Sequence, residues 1–192
     1  MGIREAVLPK YVRWVASFDH QKSVSMNEPV ELTPRSVSDS QSEMIQMVLP
    51  NDTNPLGTLL GGTLMHWIDL AGALAGHRHA RQYLVTASID HLSFRVPVPI
   101  GDVVILRASV NRAFTTSMEV GVKVWAENYI TGERKHVSSA YLTFVAVDRG
   151  GKRLPVPPVI PQSEDEQRRY QEAGRRRDRR SREAARKSAA RG

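Results

Sequence analysis

No cysteine occurs among the 192 residues. Disulfides and thiolate metal sites are therefore excluded, and the composition suits a reducing, cytoplasmic setting. No apolar run approaches the roughly 18–20 residues that a membrane span needs. No long apolar region follows the opening MGIREAVLPK, which argues against a secretory leader. Ala6 stands where a myristoylation signal prefers Ser or Thr. His66, His77, His79, His91 and His136 lack a metal-ligand spacing, so no metal or other cofactor is expected. His77 and His79 are expected to face solvent at a helix end, where positive charge suits the dipole.

An evenly spread positive charge is also missing. The net charge is +7. From Ser163 onward eleven basic and six acidic residues leave +5 in the tail and only +2 in the rest. The body of the chain therefore gives no electrostatic case for nucleic acid.

What is present is an ordinary globular composition, 41% apolar and 24% charged, long enough for one domain with a core. Residues 1–40 are mixed and polar and are read as a poorly structured extension, with Met26 as an alternative start. Residues 41–161 carry the periodic patterns and end in a proline-rich strap, RGGKRLPVPPVIP at 149–161, which is expected to be extended. Residues 162–192 form a charged, Arg-rich helix or tail. Ser163-Glu164-Asp165-Glu166 is a capping-box pattern that starts this helix. With no apolar periodicity beyond it, the tail after about Gln167 reads as solvated and dispensable for catalysis.

Residues 43–49 (EMIQMVL) read as a strand. Gly61-Gly62 opens a helix to about His79, whose Leu64, Met65, Trp67, Ile68, Leu70, Ala71, Ala73, Leu74 and Ala75 cover nearly all sides, the mark of a buried helix. Four strand-like runs follow at 84–95, 102–114, 117–129 and 136–147. The third alternates cleanly, with Met118, Val120, Val122, Val124 and Ala126 on one face. The breaks between the four runs are short, namely PVPIG, a Thr115-Thr116 turn and a loop containing Thr131-Gly132, so consecutive runs are expected to be antiparallel neighbours. This is an α+β pattern: a curled antiparallel sheet wrapped around one long helix, the hotdog architecture. One sheet cannot cover every side of such a helix, so a second copy is expected to close it.

The segment 49–69, LPNDTNPLGTLLGGTLMHWID, carries the candidate chemistry. Asp69 is a carboxylate inside an otherwise apolar helix, which is costly unless it is paired or used. It shares a stripe with Gly62, His66, Gly72 and Gly76, where another backbone can approach closely. Gly61 and Gly62 either provide turn geometry or leave N–H groups free for a developing oxyanion. Asn54 either orients a water or carbonyl, or makes an ordinary turn before Pro55. Thr86 is either a plain strand threonine or a partner that holds Asp69. Asp69 lies seven residues past Gly62, roughly 10 Å along a helix. That is too far for both to reach one reacting centre, so an antiparallel partner helix is needed.

The segment DTNPLGTLLGGTLMHWID resembles the signature of the hotdog-fold acyl-CoA thioesterases, the group that includes the YciA-type and brain-type acyl-CoA hydrolases. The resemblance continues through VTASIDHLSF (85–94), PIGDVV (99–104), TSMEVGVKVWAEN (116–128), TFVAVD (143–148) and PVPPVIPQSEDEQRRY (155–170). It implies hydrolysis of acyl-CoA to a fatty acid and CoA, with Asn54 and Asp69 as the catalytic pair. It also implies a homodimer, assembled as a trimer of dimers. Asp69 would activate a water or attack directly to give an anhydride. Candidate contacts to CoA are Gly61, Gly62, Arg95, Thr116 and Ser117, with Arg112 and Lys123 as further cations. Two other readings stand beside this one. A non-enzymatic acyl-CoA-binding regulator would leave CoA unreleased, and a dehydratase would call for a His in its acid/base pair.

Overall fold

The computed structural model describes residues 32–90 and 92–190. His91 and most of the 1–40 extension, Met26 included, lie outside the described residues. Among the described residues, β1 (Arg35–Ser36) leads into the one-turn helix α1 (Val37–Ser40) and then β2 (Ser42–Met47). After α2 (Gly61–Ala80) come β3 (Tyr83–Ile89), β4 (Val103–Ala113), β5 (Ser117–Glu127), β6 (Arg134–Val147), β7 (Val159–Ile160) and α3 (Glu164–Ala189).

Five strands form one sheet in the order β2-β4-β5-β6-β3, with every neighbouring pair antiparallel. This is the curled sheet and helix expected of the hotdog fold. One adjacency is corrected: the runs joined by PVPIG are not neighbours, since β3 pairs with β6 and β4 lies between β2 and β5. The prolines of that stretch make a crossing connection and not a hairpin turn. The alternation read in β5 sets the two faces. Met118, Val120, Val122, Val124 and Ala126 are all buried. They meet Leu64, Trp67, Ile68, Ala71 and Ala75 of α2 in a single core. Strand β3 stops at Ile89 and does not run on to residue 95. The chain beyond it approaches Pro97 and Pro99, which have no N–H to give to a ladder.

Helix α2 is not buried all round in the single chain. Met65, Leu70 and Leu74 are 43%, 42% and 50% exposed. They lie off the stripe that meets the sheet. Gly72 and Gly76 do not face another backbone either. A Cβ on Gly72 would lie 3.1 Å from Phe144, and one on Gly76 would lie 2.7 Å from Leu84. The absent side chains let the helix settle onto its own sheet.

Two further expectations are overturned. His79 is fully buried, not solvent-facing, because the proline-rich strap crosses it. Its Nε2 lies 2.8 Å from the Pro157 carbonyl oxygen. Residues 35–40 are also well held. Ser36 caps α1, Val37 and Ser40 are buried, and β1 pairs in parallel with β7 of the strap.

The tail is more than a solvated helix. Its start is the expected capping box: Ser163 Oγ accepts from Glu166 N–H at 3.2 Å, and the Glu166 carboxylate accepts from Ser163 N–H at 3.2 Å. From there α3 packs on the outer face of the sheet. Ala173 is fully buried. Arg176 forms an ion pair with the fully buried Glu119 of β5, with Nη2 to Oε1 at 2.7 Å, and its guanidinium lies 3.7 Å above the Tyr141 ring. Arg180 reaches Asp90 at 2.7 Å.

Candidate active site

The loop before α2 is tied down by Asp52. Its carboxylate accepts from Leu49 N–H at 3.0 Å, and its carbonyl accepts from Leu60 N–H at 2.8 Å. This fixes where the helix begins. The N-cap position, Leu60, has no side-chain acceptor to offer. The first intrahelical bond runs from Leu64 N–H to Leu60 O. The N–H groups of Gly61, Gly62 and Thr63 are thus left without a side-chain cap, and the positive end of a twenty-residue helix stands behind them. The two glycines differ. A Cβ on Gly61 would lie 3.1 Å from the Phe94 ring, whereas nothing stands within 4 Å of one on Gly62. Gly62 is the open position.

Two turns further on, Asp69 is half-buried. Thr86 Oγ1 donates to Asp69 Oδ1 at 2.7 Å. Thr86 sits where the β3–β6 register slips between Thr86 and Ser88. A bulge of this kind re-aims side chains. In this geometry Thr86 is a hydrogen-bond partner of the carboxylate. Asp69 Oδ2 accepts no bond from the protein among the described residues.

Asn54 is committed to its own loop in the single chain. Its Nδ2 donates to Thr58 Oγ1 at 2.9 Å, and its Oδ1 accepts from the N–H groups of Leu56 and Thr58 at 2.9 and 3.2 Å. None of these bonds joins Asn54 to Asp69. Gly57, at φ +70°, lets the loop fold back on Asn54, and its N–H donates to the Asn54 carbonyl.

The remaining candidates divide by position. Arg95 is exposed on the wall of a cavity beside Gly61. Thr116 and Ser117 lie at the opposite end of the helix. Ser117 pairs with Val145, which also pairs with Val85 near the α2 C-terminus. The Thr116 carbonyl accepts from Ala146 N–H. One chain therefore does not bring them to Gly62. Arg112 is engaged with α3, 4.4 Å from the Tyr170 ring, and Lys123 is exposed on the outer sheet face. Sequence reading missed Phe94. Its signal was a large aromatic side chain directly before the proline-interrupted stretch RVPVPIG. Among the described residues no cluster of His, Asp or Glu is placed to hold a metal ion, and no helix is long and apolar enough to cross a membrane.

The curled antiparallel sheet around α2 defines a hotdog-fold protein. Residues 56–132 match the model of the Thioesterase superfamily. An acyl-CoA thioester hydrolase of Bacillus subtilis is 43% identical over 136 residues, covering 70% of this chain and 79% of that one. The chain spans only 22% and 24% of the mouse and rat acetyl-coenzyme A thioesterases. A hexameric acyl-CoA thioesterase solved without ligand is 43% identical, with a TM-score of 0.75 over 79% of this chain and 98% of that one. An acyl-CoA hydrolase from Staphylococcus aureus, solved with one aspartate replaced by alanine, is 35% identical, with a TM-score of 0.76 over 82% and 97%. The same Staphylococcus protein has been solved with a threonine or an asparagine replaced by alanine, and with butyryl coenzyme A. The chain belongs to the hotdog-fold acyl-CoA thioesterases, hydrolases of acyl-CoA thioesters.

Proposed function

We propose that the chain releases a free fatty acid and CoA at a site shared by two copies, with Asp69 as the general base. The observation that carries this reading is the Thr86–Asp69 hydrogen bond. It fixes one carboxylate oxygen and leaves the other free to take a proton from water. The water oxygen attacks the thioester carbonyl carbon. The resulting oxyanion is held at the uncapped start of α2, at Gly62 N–H and the neighbouring Gly61 N–H. Collapse breaks the C–S bond, and CoA leaves as a thiolate that takes up a proton. Asn54 orients the water or the carbonyl from the second copy. Two such dimers-with-shared-sites, joined to a third, make the proposed hexamer; a relative that assembles as a hexamer supports this.

Sequence spacing supports the same residues. The asparagine, aspartate and threonine replaced in the Staphylococcus aureus variants stand fifteen and seventeen residues apart in their own numbering. The same intervals separate Asn54, Asp69 and Thr86. The test is thiol release from a panel of acyl-CoAs, acetyl to palmitoyl. Asp69→Asn keeps an acceptor for Thr86 but removes the base, and should lower kcat by at least about a hundredfold. Release at the wild-type rate by Asp69→Asn would overturn the assignment of the base. No release by the wild type on any chain length would overturn the function.

A further inference from the structure

We propose that the apolar cavity beside the start of α2 receives the acyl chain, and that Phe94 limits the chain length. The inference rests on the reading of α2 given above and adds a substrate preference to it. The cavity measures about 280 Å³ and is walled by Leu59, Leu64, Phe94, Val96, Val98 and Val137, with Gly61 at its edge. Arg95 is the one charged group on the lining and is exposed; the remaining walls are apolar and suit a hydrocarbon.

Position supplies the rest of the argument. A thioester carbonyl accepting from Gly62 N–H has its first acyl carbon one bond from the reacting carbon. The chain beyond must leave the helix start in some direction. This cavity borders that helix start and, Arg95 apart, is lined by apolar side chains. The Phe94 ring is 44% exposed, yet it lies so near Gly61 that a Cβ there would come within 3.1 Å. An aromatic ring held over the helix start, half open to solvent, is a wall awaiting a ligand more than a member of the core. The backbone around it is fixed. Ser138 Oγ donates to the Ser93 carbonyl at 2.9 Å, Arg95 N–H to Val137 O at 3.3 Å, and Leu59 N–H to Val98 O at 2.8 Å. The stretch carrying Phe94 is therefore pinned on both sides, and the side chain sets the depth.

The volume is near the lower end for small-molecule pockets, about 300 Å³. The structure thus assigns the site to short and medium acyl chains. Each methylene that finds apolar walls should raise kcat/KM by about fourfold, until the chain meets Phe94. Truncating the ring removes the stop.

The experiment is kcat/KM across acetyl-, butyryl-, hexanoyl-, octanoyl- and dodecanoyl-CoA for the wild type, Phe94→Ala and Val96→Phe. The wild type should peak at or below octanoyl. Phe94→Ala should raise the dodecanoyl-to-butyryl ratio by at least about tenfold. Val96→Phe fills the cavity from another wall, so it should lower the hexanoyl-to-acetyl and octanoyl-to-acetyl ratios of kcat/KM by at least about tenfold, whatever it does to the acetyl rate itself. Should Phe94→Ala fail to fold, the Val96→Phe profile still decides. Profiles of unchanged shape in the folded variants, or an equal fall at every chain length, would overturn the inference, and would mean that another copy's side chains fill the cavity or that the ring has a purely structural part. Those outcomes leave the thioesterase reading intact, which fails only if no acyl-CoA is cleaved by the wild type.

Discussion

At the residue scale, polar groups in apolar surroundings carried the most information, and they split into two kinds. Asp69 was conspicuous because a lone carboxylate in an apolar helix needs a reason, and the structure supplies Thr86 as its partner. That partner was nameable from sequence only as an alternative, since a strand threonine is unremarkable until the bulge beside it turns it inward. His79 shows the converse. It reads as a helix-end cation but is buried under the strap, with Nε2 on the Pro157 carbonyl and Nδ1 without a partner. Burial pushes its pKa below 6.5, as does the nearby Arg35 charge, against the pull of the Pro157 carbonyl and Asp39 in the other direction. The sign follows. Above pH 6.5 the folded and unfolded states are both neutral at this residue, and its contribution to stability is complete. Below it the unfolded chain takes up a proton that the folded chain refuses, so stability falls as pH drops toward the folded value. Urea unfolding at about pH 5 should therefore show lower stability than at about pH 7.5. His79→Gln, which can still donate to Pro157, should flatten that part of the curve. An equally steep decline in the variant would place the acid sensitivity elsewhere.

At the element scale, the strands were legible wherever one face meets the core. The Met118–Ala126 alternation in β5 predicts its buried face correctly, because a strand with one wet face must alternate. The end of β3 was not legible. Residues 90–95 look like strand locally, and only the tertiary path toward Pro97 takes them off the ladder. The docking of α3 was also hidden. Glu119 occupies an outward strand position, where an acid is ordinarily solvated, and the tail's arginines alternate with acids as on any wet helix. The pairing that buries Glu119 joins residues 57 positions apart, which no local pattern encodes. The expectation of a tail without core contacts is revised accordingly. Arg176→Ala leaves a fully buried carboxylate without its main partner and should destabilise the fold by about 3 kcal/mol. Arg182→Ala, on the exposed end of α3, should change stability by less than about 0.5 kcal/mol. Thiol release per folded site should stay within a few-fold in both, since α3 bonds neither Asp69 nor Asn54. Equal denaturation midpoints for the two variants would show that the α3 ion pair holds nothing in place.

At the scale of the whole molecule, a single chain is an unfinished object. Met65, Leu70 and Leu74 of α2 are exposed, as are Tyr83, Val85 and Ile89 of β3, which is an edge strand of the sheet. An apolar helix face and an apolar free edge on one body call for a covering surface. Asp69 stands roughly 10 Å along the helix from Gly62, so one chain cannot place its own base and its own helix start on one carbonyl. The proposed two-fold dimer would meet both needs, since an isologous contact would set each copy's Asp69 beside the other's loop and helix start. This makes a quantitative prediction. Asn54→Ala and Asp69→Ala homodimers each have two damaged sites and should be nearly inactive, Asp69→Ala the more so. In a mixed dimer one site collects both lesions, while the other pairs the intact Asn54 of one chain with the intact Asp69 of its neighbour. Each mixed dimer therefore has one working site of two. Statistical exchange of equal amounts, which makes half the dimers mixed, should restore about a quarter of wild-type thiol release. The measurement is thiol release before and after co-refolding, with native mass spectrometry counting the mixed species. A site built within one chain predicts no recovery, because every chain still carries a lesion. Mixed dimers present in the expected amount with no regained turnover would therefore exclude the shared site while leaving the hydrolase assignment in place.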